Sequence, residues 1–183
     1  MALQEPGISE LESRVVELLK ETELASFATV SEDNKPHASC MHIVSDGTTV
    51  YFHTYIYTRK YEHLLQNPAI SFELHRLISG FEDRMNLRAI QMSGKATKVV
   101  DQEELDRVLA LSYEKHDWLR EFDMYAVFKR ETKEMRQVFF RVDPFDALYS
   151  DNTVRFGWRK SLTFDGNGKV AEVEGYRGDV RGT

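Results

Sequence analysis

Apolar residues recur at helical spacing in the first part of the chain and at alternate positions after residue 24. Leu11, Val15, Val16, Leu18 and Leu19 form one stripe, the rhythm of an amphipathic helix. Ser9 and Glu12 have the spacing of a capping box, so a helix is predicted over 8–22. Residues 24–31 (LASFATVS), 36–44 and 49–54 read as strands, separated by the turn-formers Glu32-Asp33-Asn34-Lys35 and Ser45-Asp46-Gly47. Together they predict an antiparallel meander. A short helix runs from Thr58 to Gln66 and stops at Asn67-Pro68, after which 69–74 is again a strand.

Residues 88–100 predict a long strand with a bulge or bend at Gly94. Asp101 opens a helix reaching His116, with Leu105, Val108, Leu109 and Leu111 on its apolar face. Strands are predicted at 135–142, 147–150, 154–158 and 161–164, and Asp165-Gly166-Asn167-Gly168-Lys169 is a hairpin turn. Residues 176–183 read as a flexible tail. Strands outnumber helices, no βαβ rhythm appears and nothing repeats at a fixed period. The expected fold is mainly β, an antiparallel barrel with peripheral helices.

Composition narrows the function. With 42% hydrophobic and 30% charged residues, residues 1–183 are expected to form a single domain with its own core. A formal charge of -6 argues against nucleic-acid or anionic-membrane partners, which need a net basic surface. Any anion site must be local. Cys40 is the sole cysteine, so there is no disulfide framework and no paired-cysteine zinc pattern. Neither a leader peptide nor a membrane span is read near the N-terminus, and a cytoplasmic protein is expected.

One segment is chemically unusual. In YFHTYIYTRKYEHLLQNP, residues 51–68, a strand ends at Thr54 and a helix opens on Thr58-Arg59-Lys60. The first turn of a helix carries the positive end of the backbone dipole, so acids are usual there and cations are not. A hydroxyl at the cap beside a guanidinium and an ammonium suits a phosphate. Ser39, on a neighbouring predicted strand, adds a further donor.

These residues carry a resemblance. The helix, the KPHASCMHIV strand and the run TTVYFHTYIYTRKYEHLLQNPAISFEL, within residues 10–100, are similar to the FMN-binding split-barrel family that includes pyridoxamine 5'-phosphate oxidase. The shared pattern is an aromatic strand ending in Thr, then Ser/Thr-Arg-Lys opening a helix closed by Asn-Pro; here it is Phe52, Thr54, Thr58, Arg59, Lys60, Asn67 and Pro68. The resemblance implies a split barrel and a homodimer with FMN at the subunit interface. Arg59 and Lys60 would hold the phosphate with help from Thr58, and the backbone at His53 and Thr54 would meet the flavin ring. It further implies an oxidoreductase acting on a small molecule, with NADH or NADPH as electron donor.

The departures matter as well. Where the oxidases carry an Arg on the second strand and a Lys five residues on, this chain has Ser39 and Val44. Arg88 matches a family arginine, but the glutamine expected after it is Ala89, leaving Gln91 two positions along as a candidate flavin contact. The tail lacks the oxidase's substrate-binding Arg and His, so vitamin B6 oxidation is not expected. The resemblance leaves two alternatives open: a non-catalytic module that binds or senses flavin or haem, and a reductase using the deazaflavin F420.

Other candidates weaken on inspection. His37 and His42 lie five apart on one predicted strand and so face opposite ways, and no metal site is read from the sequence. His53 beside tyrosines reads as a packed polar residue, and His63 and His75 have no evident partner. Cys40 reads as small and buried. Trp158 with Phe156, and Trp118 with Tyr113 and Phe122, read as core or interface packing, and Arg177-Gly178-Asp179 as chance.

Overall fold

The computed structural model describes residues 5–122 and 136–176. An N-terminal helix, α1 (Ile8–Glu21), precedes the strands β1 (Leu24–Val30), β2 (Pro36–His42), β3 (Val44–Asp46) and β4 (Thr49–Tyr55). Then come α2 (Arg59–Gln66), β5 (Ala69–His75), β6 (Arg88–Lys98), α3 (Gln102–Lys115), β7 (Gln137–Asp151), β8 (Arg159–Phe164) and β9 (Val170–Gly175). The described strands form one antiparallel sheet in the order β2-β1-β5-β6-β7-β4-β3, with β8 and β9 added beside β7. This is a split barrel, mainly β with peripheral helices. No described helix is long and apolar enough to cross a membrane.

The barrel interior holds Phe27, Phe52, Phe72 and Phe140, with Phe27 4.7 Å from Phe52 and 5.1 Å from Phe72, centroid to centroid. Such tilted aromatic pairs add about 0.5–1.5 kcal/mol each beyond area burial. The stripe Leu11, Val15, Leu18 and Leu19 seats α1 on this core. A second cluster, Val44, Tyr51, Val108, Leu109, Tyr113 and Phe139, packs α3 on the other side. β4 therefore lies between two cores, which is why Val50, Tyr51 and Phe52 are all buried in succession.

Polar contacts fix α1 along its length. Glu12 accepts from Lys169 Nζ at 2.8 Å and from the Val170 N–H at 3.0 Å. Arg14 Nη1 meets the fully buried Asp151 carboxylate at 2.7 Å. Glu17 and Glu21 hold Arg88 at 2.5 and 2.7 Å. At its C-terminus, Lys115 Nζ donates to the carbonyls of Leu19 and Thr22 at 2.9 and 2.7 Å, satisfying acceptors that a helix end leaves open. Burial lowers that ammonium to about 8.

Several expectations are corrected. Ser9 is not an N-cap: the helix begins at Ile8 after Gly7, and the Ser9 carbonyl instead accepts from Ser13 Oγ. The 36–44 strand divides at Ile43, whose N–H bonds Glu23 O, and 44–46 forms β3 rather than a turn. The predicted strands ending at 142 and starting at 147 are one strand. Pro144, which has no N–H to offer, stands opposite Gly94 at the irregularity in the β6–β7 ladder, where a proline is tolerated. The bulge expected at Gly94 is present. Residues 154–158 form turns rather than a strand, because the Asp151 carboxylate binds the N–H of Thr153, the Asn152 side chain binds that of Gly157, and Gly157 has φ +75°. Trp158 is core, 0% exposed, while Phe156 lies at the surface. Cys40 is exposed rather than buried. Arg177-Gly178-Asp179, the 177–183 part of the tail and Met135 lie outside the described residues, as does the side chain of Phe122.

Candidate functional site

The unusual helix opening is built as the cations require. β4 ends at Tyr55, a turn follows and α2 starts at Arg59 with Thr58 at the N-cap position. The Thr58 hydroxyl does not cap the helix. It donates to Tyr55 O at 2.8 Å and pairs with Thr54 Oγ1 at 2.9 Å, so it pins the strand end to the helix start. Thr54 is buried, and this bond gives its hydroxyl a partner.

Ser39, Thr58, Arg59 and Lys60 line one cleft of about 370 Å³, together with Thr29, His37, Ala38 and Tyr57. Ser39 reaches it from β2, which pairs with β1 so that Ser39 stands opposite Phe27 and His37 opposite Thr29. Partial burial lowers the Lys60 ammonium. Among the described residues neither Arg59 nor Lys60 has an ion-pair partner. Two unpaired cations at the positive end of a helix repel each other and the dipole, and an anion relieves both.

Beside the cleft stands a contact missed in the sequence. His63 is buried, its Nδ1 lies 3.0 Å from Thr29 Oγ1, and its ring packs at 4.8 Å from that of His37. The antiparallel register of β1 and β2 and the one-turn step from Arg59 to His63 were the signals available. His75, for which no partner was evident, pairs with Glu73 at 2.8 Å. His53 is half-buried against Phe139, a packed polar residue as read. Desolvation lowers it to about 4, with the nearby His42, Lys60 and His116 adding to the shift.

A larger hollow of about 610 Å³ lies elsewhere, lined by residues 21–26, Cys40 and residues 73–77. Its one arginine, Arg76, is paired with Asp83 at 2.9 Å. With its cations unpaired among the described residues, the smaller cleft is the better candidate for an anion.

Residues 11–139 match the family model described as pyridoxamine 5'-phosphate oxidase. The chain belongs to this family. It is 31% identical over 87 residues to General stress protein 26 of Bacillus subtilis, a match covering 48% of this chain and 59% of that protein. Among solved structures it resembles a heme binding protein from Mycobacterium smegmatis, with a TM-score of 0.65 and 15% identity over 87% of this chain and 59% of the other. It also resembles a candidate pyridoxamine 5'-phosphate oxidase from Listeria innocua, with a TM-score of 0.57 and 19% identity over 76% of this chain and 98% of the other. Such structural likenesses establish a shared split barrel.

In this member of the pyridoxamine 5'-phosphate oxidase family, two expected site residues stand apart from the cleft within one chain. Arg88 spends its guanidinium on Glu17 and Glu21 of α1. Gln91 points to the opposite sheet face, where it stands between Glu73 and Leu148. The sequence placed both on one strand without showing that α1 would supply carboxylates to the first.

Proposed function

We propose that the protein binds FMN, with the phosphate held by Arg59, Lys60 and Ser39 beside the turn that Thr58 braces, and acts as a flavin-dependent oxidoreductase on a small molecule. The carrying observation is the convergence of two cations, without ion-pair partners among the described residues, and the Ser39 hydroxyl on one cleft at the start of α2. A phosphate dianion there gains charge-assisted hydrogen bonds, roughly twice as strong as neutral ones. The ring would lie beside the end of β4 near His53 and Thr54. FMN, when bound, supplies hydride and single-electron transfer. The chain's own part is to anchor the phosphate, hold the Thr54–Thr58 junction rigid and keep a neutral imidazole at His53.

A homodimer completes this reading. Two rows of mostly small residues cross β2, β1, β5 and β6 on the outer face: Ala38, Ala28, Ser71, Ser93, and Cys40, Ser26, Glu73, Gln91. A face without bulk lets a second layer approach closely, and a second copy there would bring Gln91 into an interface.

The test is an absorption spectrum of freshly purified protein followed by titration with FMN. Flavin bands and saturable quenching of FMN fluorescence are expected, with Arg59→Ala and Lys60→Ala each weakening binding roughly 10- to 100-fold and His75→Ala leaving it unchanged. A colourless protein that leaves FMN fluorescence untouched refutes the reading, and a Soret band would assign haem instead. Anaerobic bleaching of the bound flavin by NADH or NADPH separates an enzyme from a carrier, and light scattering reads the dimer.

A further inference from the structure

Where β2 ends, three residues distant in sequence meet. Glu23 follows α1, His42 ends β2 and His116 follows α3. We propose that Glu23, His42 and His116 form a binding site for a divalent transition-metal ion of the zinc class. One ligating atom from each lies within 4.8 Å of the other two. A tetrahedral zinc site, with bonds of about 2.0–2.2 Å, needs donors about 3.3 Å apart. The exposed Glu23 carboxylate can swing through that difference without moving backbone.

The histidines are prepared for metal rather than for each other. His116 is 2% exposed, and its Nδ1 has no hydrogen-bond partner among the described residues; the Nδ1 of His42 is likewise buried and without a partner among them. A buried ring nitrogen without a hydrogen-bond partner is destabilising, so the site asks for a ligand. The other nitrogen of His116, Nε2, lies 3.1 Å from the carbonyl of Ile43. A carbonyl only accepts, so Nε2 carries the proton and Nδ1 presents a bare lone pair. A ligating histidine whose second nitrogen donates to a backbone carbonyl is the usual outer-shell arrangement of protein metal sites.

One residue orders all three ligands. Ile43 adjoins His42, accepts from His116 and donates its N–H to Glu23 O at 3.0 Å. Trp118 packs 5.2 Å from His42 and 6.2 Å from His116, walling one side. Two neutral imidazoles and one carboxylate neutralise half of a dication's charge per unit of acid, and the exposed side at Glu23 leaves a fourth position for water or an external ligand. Sequence reading found no metal site because β2 supplies one ligand only. The other two arrive from the ends of α1 and α3, 19 and 74 positions away from His42 as the numbering in the sequence gives.

The experiment is calorimetric titration of Zn²⁺ into full-length protein stripped with a chelator, run with and without FMN, and repeated with Co²⁺ to read geometry from its visible bands. Expected are one Zn²⁺ per chain, the intense bands of four-coordinate Co²⁺, at least a tenfold loss of affinity in Glu23→Gln and at least a hundredfold loss in His42→Ala and His116→Ala. His75→Ala should bind as the parent does. Circular dichroism checks each variant; if His116→Ala misfolds, Glu23→Gln and His42→Ala decide. No saturable binding by the parent protein, or binding that survives both of those variants, overturns the site whatever the outcome with FMN.

Discussion

Replacing Arg14 with methionine tests how the helix α1 is held. The Asp151 carboxylate is 0% exposed and accepts from Arg14 Nη1 at 2.7 Å, the Tyr149 hydroxyl at 3.2 Å, the Thr153 N–H at 2.9 Å and Thr153 Oγ1 at 2.6 Å. Arg14 is its one cationic partner among the described residues. Breaking a buried pair from one side costs about 3–5 kcal/mol. Two facts reduce this here: the Arg14 side chain is 29% exposed, so water can approach, and three donors remain on the carboxylate. A loss of about 2–3 kcal/mol is expected, or a Tm lowered by roughly 4–12 °C for a chain of this size. Urea unfolding followed by circular dichroism measures it. Asp151→Asn should cost a similar amount, because its amide nitrogen would face donors. The double variant should lose less than the sum by about 1–3 kcal/mol, while Glu10→Ala, which removes only a surface pair, should change little. An Arg14→Met variant within 0.5 kcal/mol of the parent, or an additive cycle, would refute the reasoning.

Two other perturbations follow from single contacts. A Cβ at Gly94 would collide with the Asp143 carbonyl oxygen and stand 3.1 Å from Val142 Cγ1, so Gly94→Ala should destabilise by about 2–3 kcal/mol, whereas Gly166→Ala, with nothing within 4 Å, should be neutral in the same urea assay. His53 is lowered from 6.5 to about 4, mainly by desolvation; between those values the unfolded chain binds the proton and the folded one does not, so stability falls as pH drops through that window, by up to about 3 kcal/mol. His53→Gln should flatten the pH dependence of the urea midpoint between 4 and 6.5, and an unchanged slope would discard His53 as its source.

The barrel was legible wherever local chemistry and pattern agree. The Asp165–Lys169 hairpin, the Gly94 bulge and the Asp101-capped helix each rest on residues adjacent in sequence. The cations of the site were legible for the same reason: Thr58, Arg59 and Lys60 occupy one turn. What could not be read depends on distant partners. Ser9 looked like a cap but lies inside the helix, Thr58 turned its hydroxyl toward Thr54, and Arg88 was taken up by α1. The gap read between 142 and 147 is one continuous strand, because Pro144 is accommodated opposite Gly94, fifty positions earlier in the sequence.

β7 bonds β4 along its first half, β8 along its second and β6 along both. The strand ending in the Thr54–Thr58 junction and the buried Asp151 that anchors α1 thus share one ladder. Neither end can open without unzipping amides that serve the other, so the sheet behaves as one cooperative unit. Amide protons of β4, β6 and β8 should exchange with deuterium at a common slow rate set by global unfolding, and a distinctly faster β8 would show that the two ends open apart.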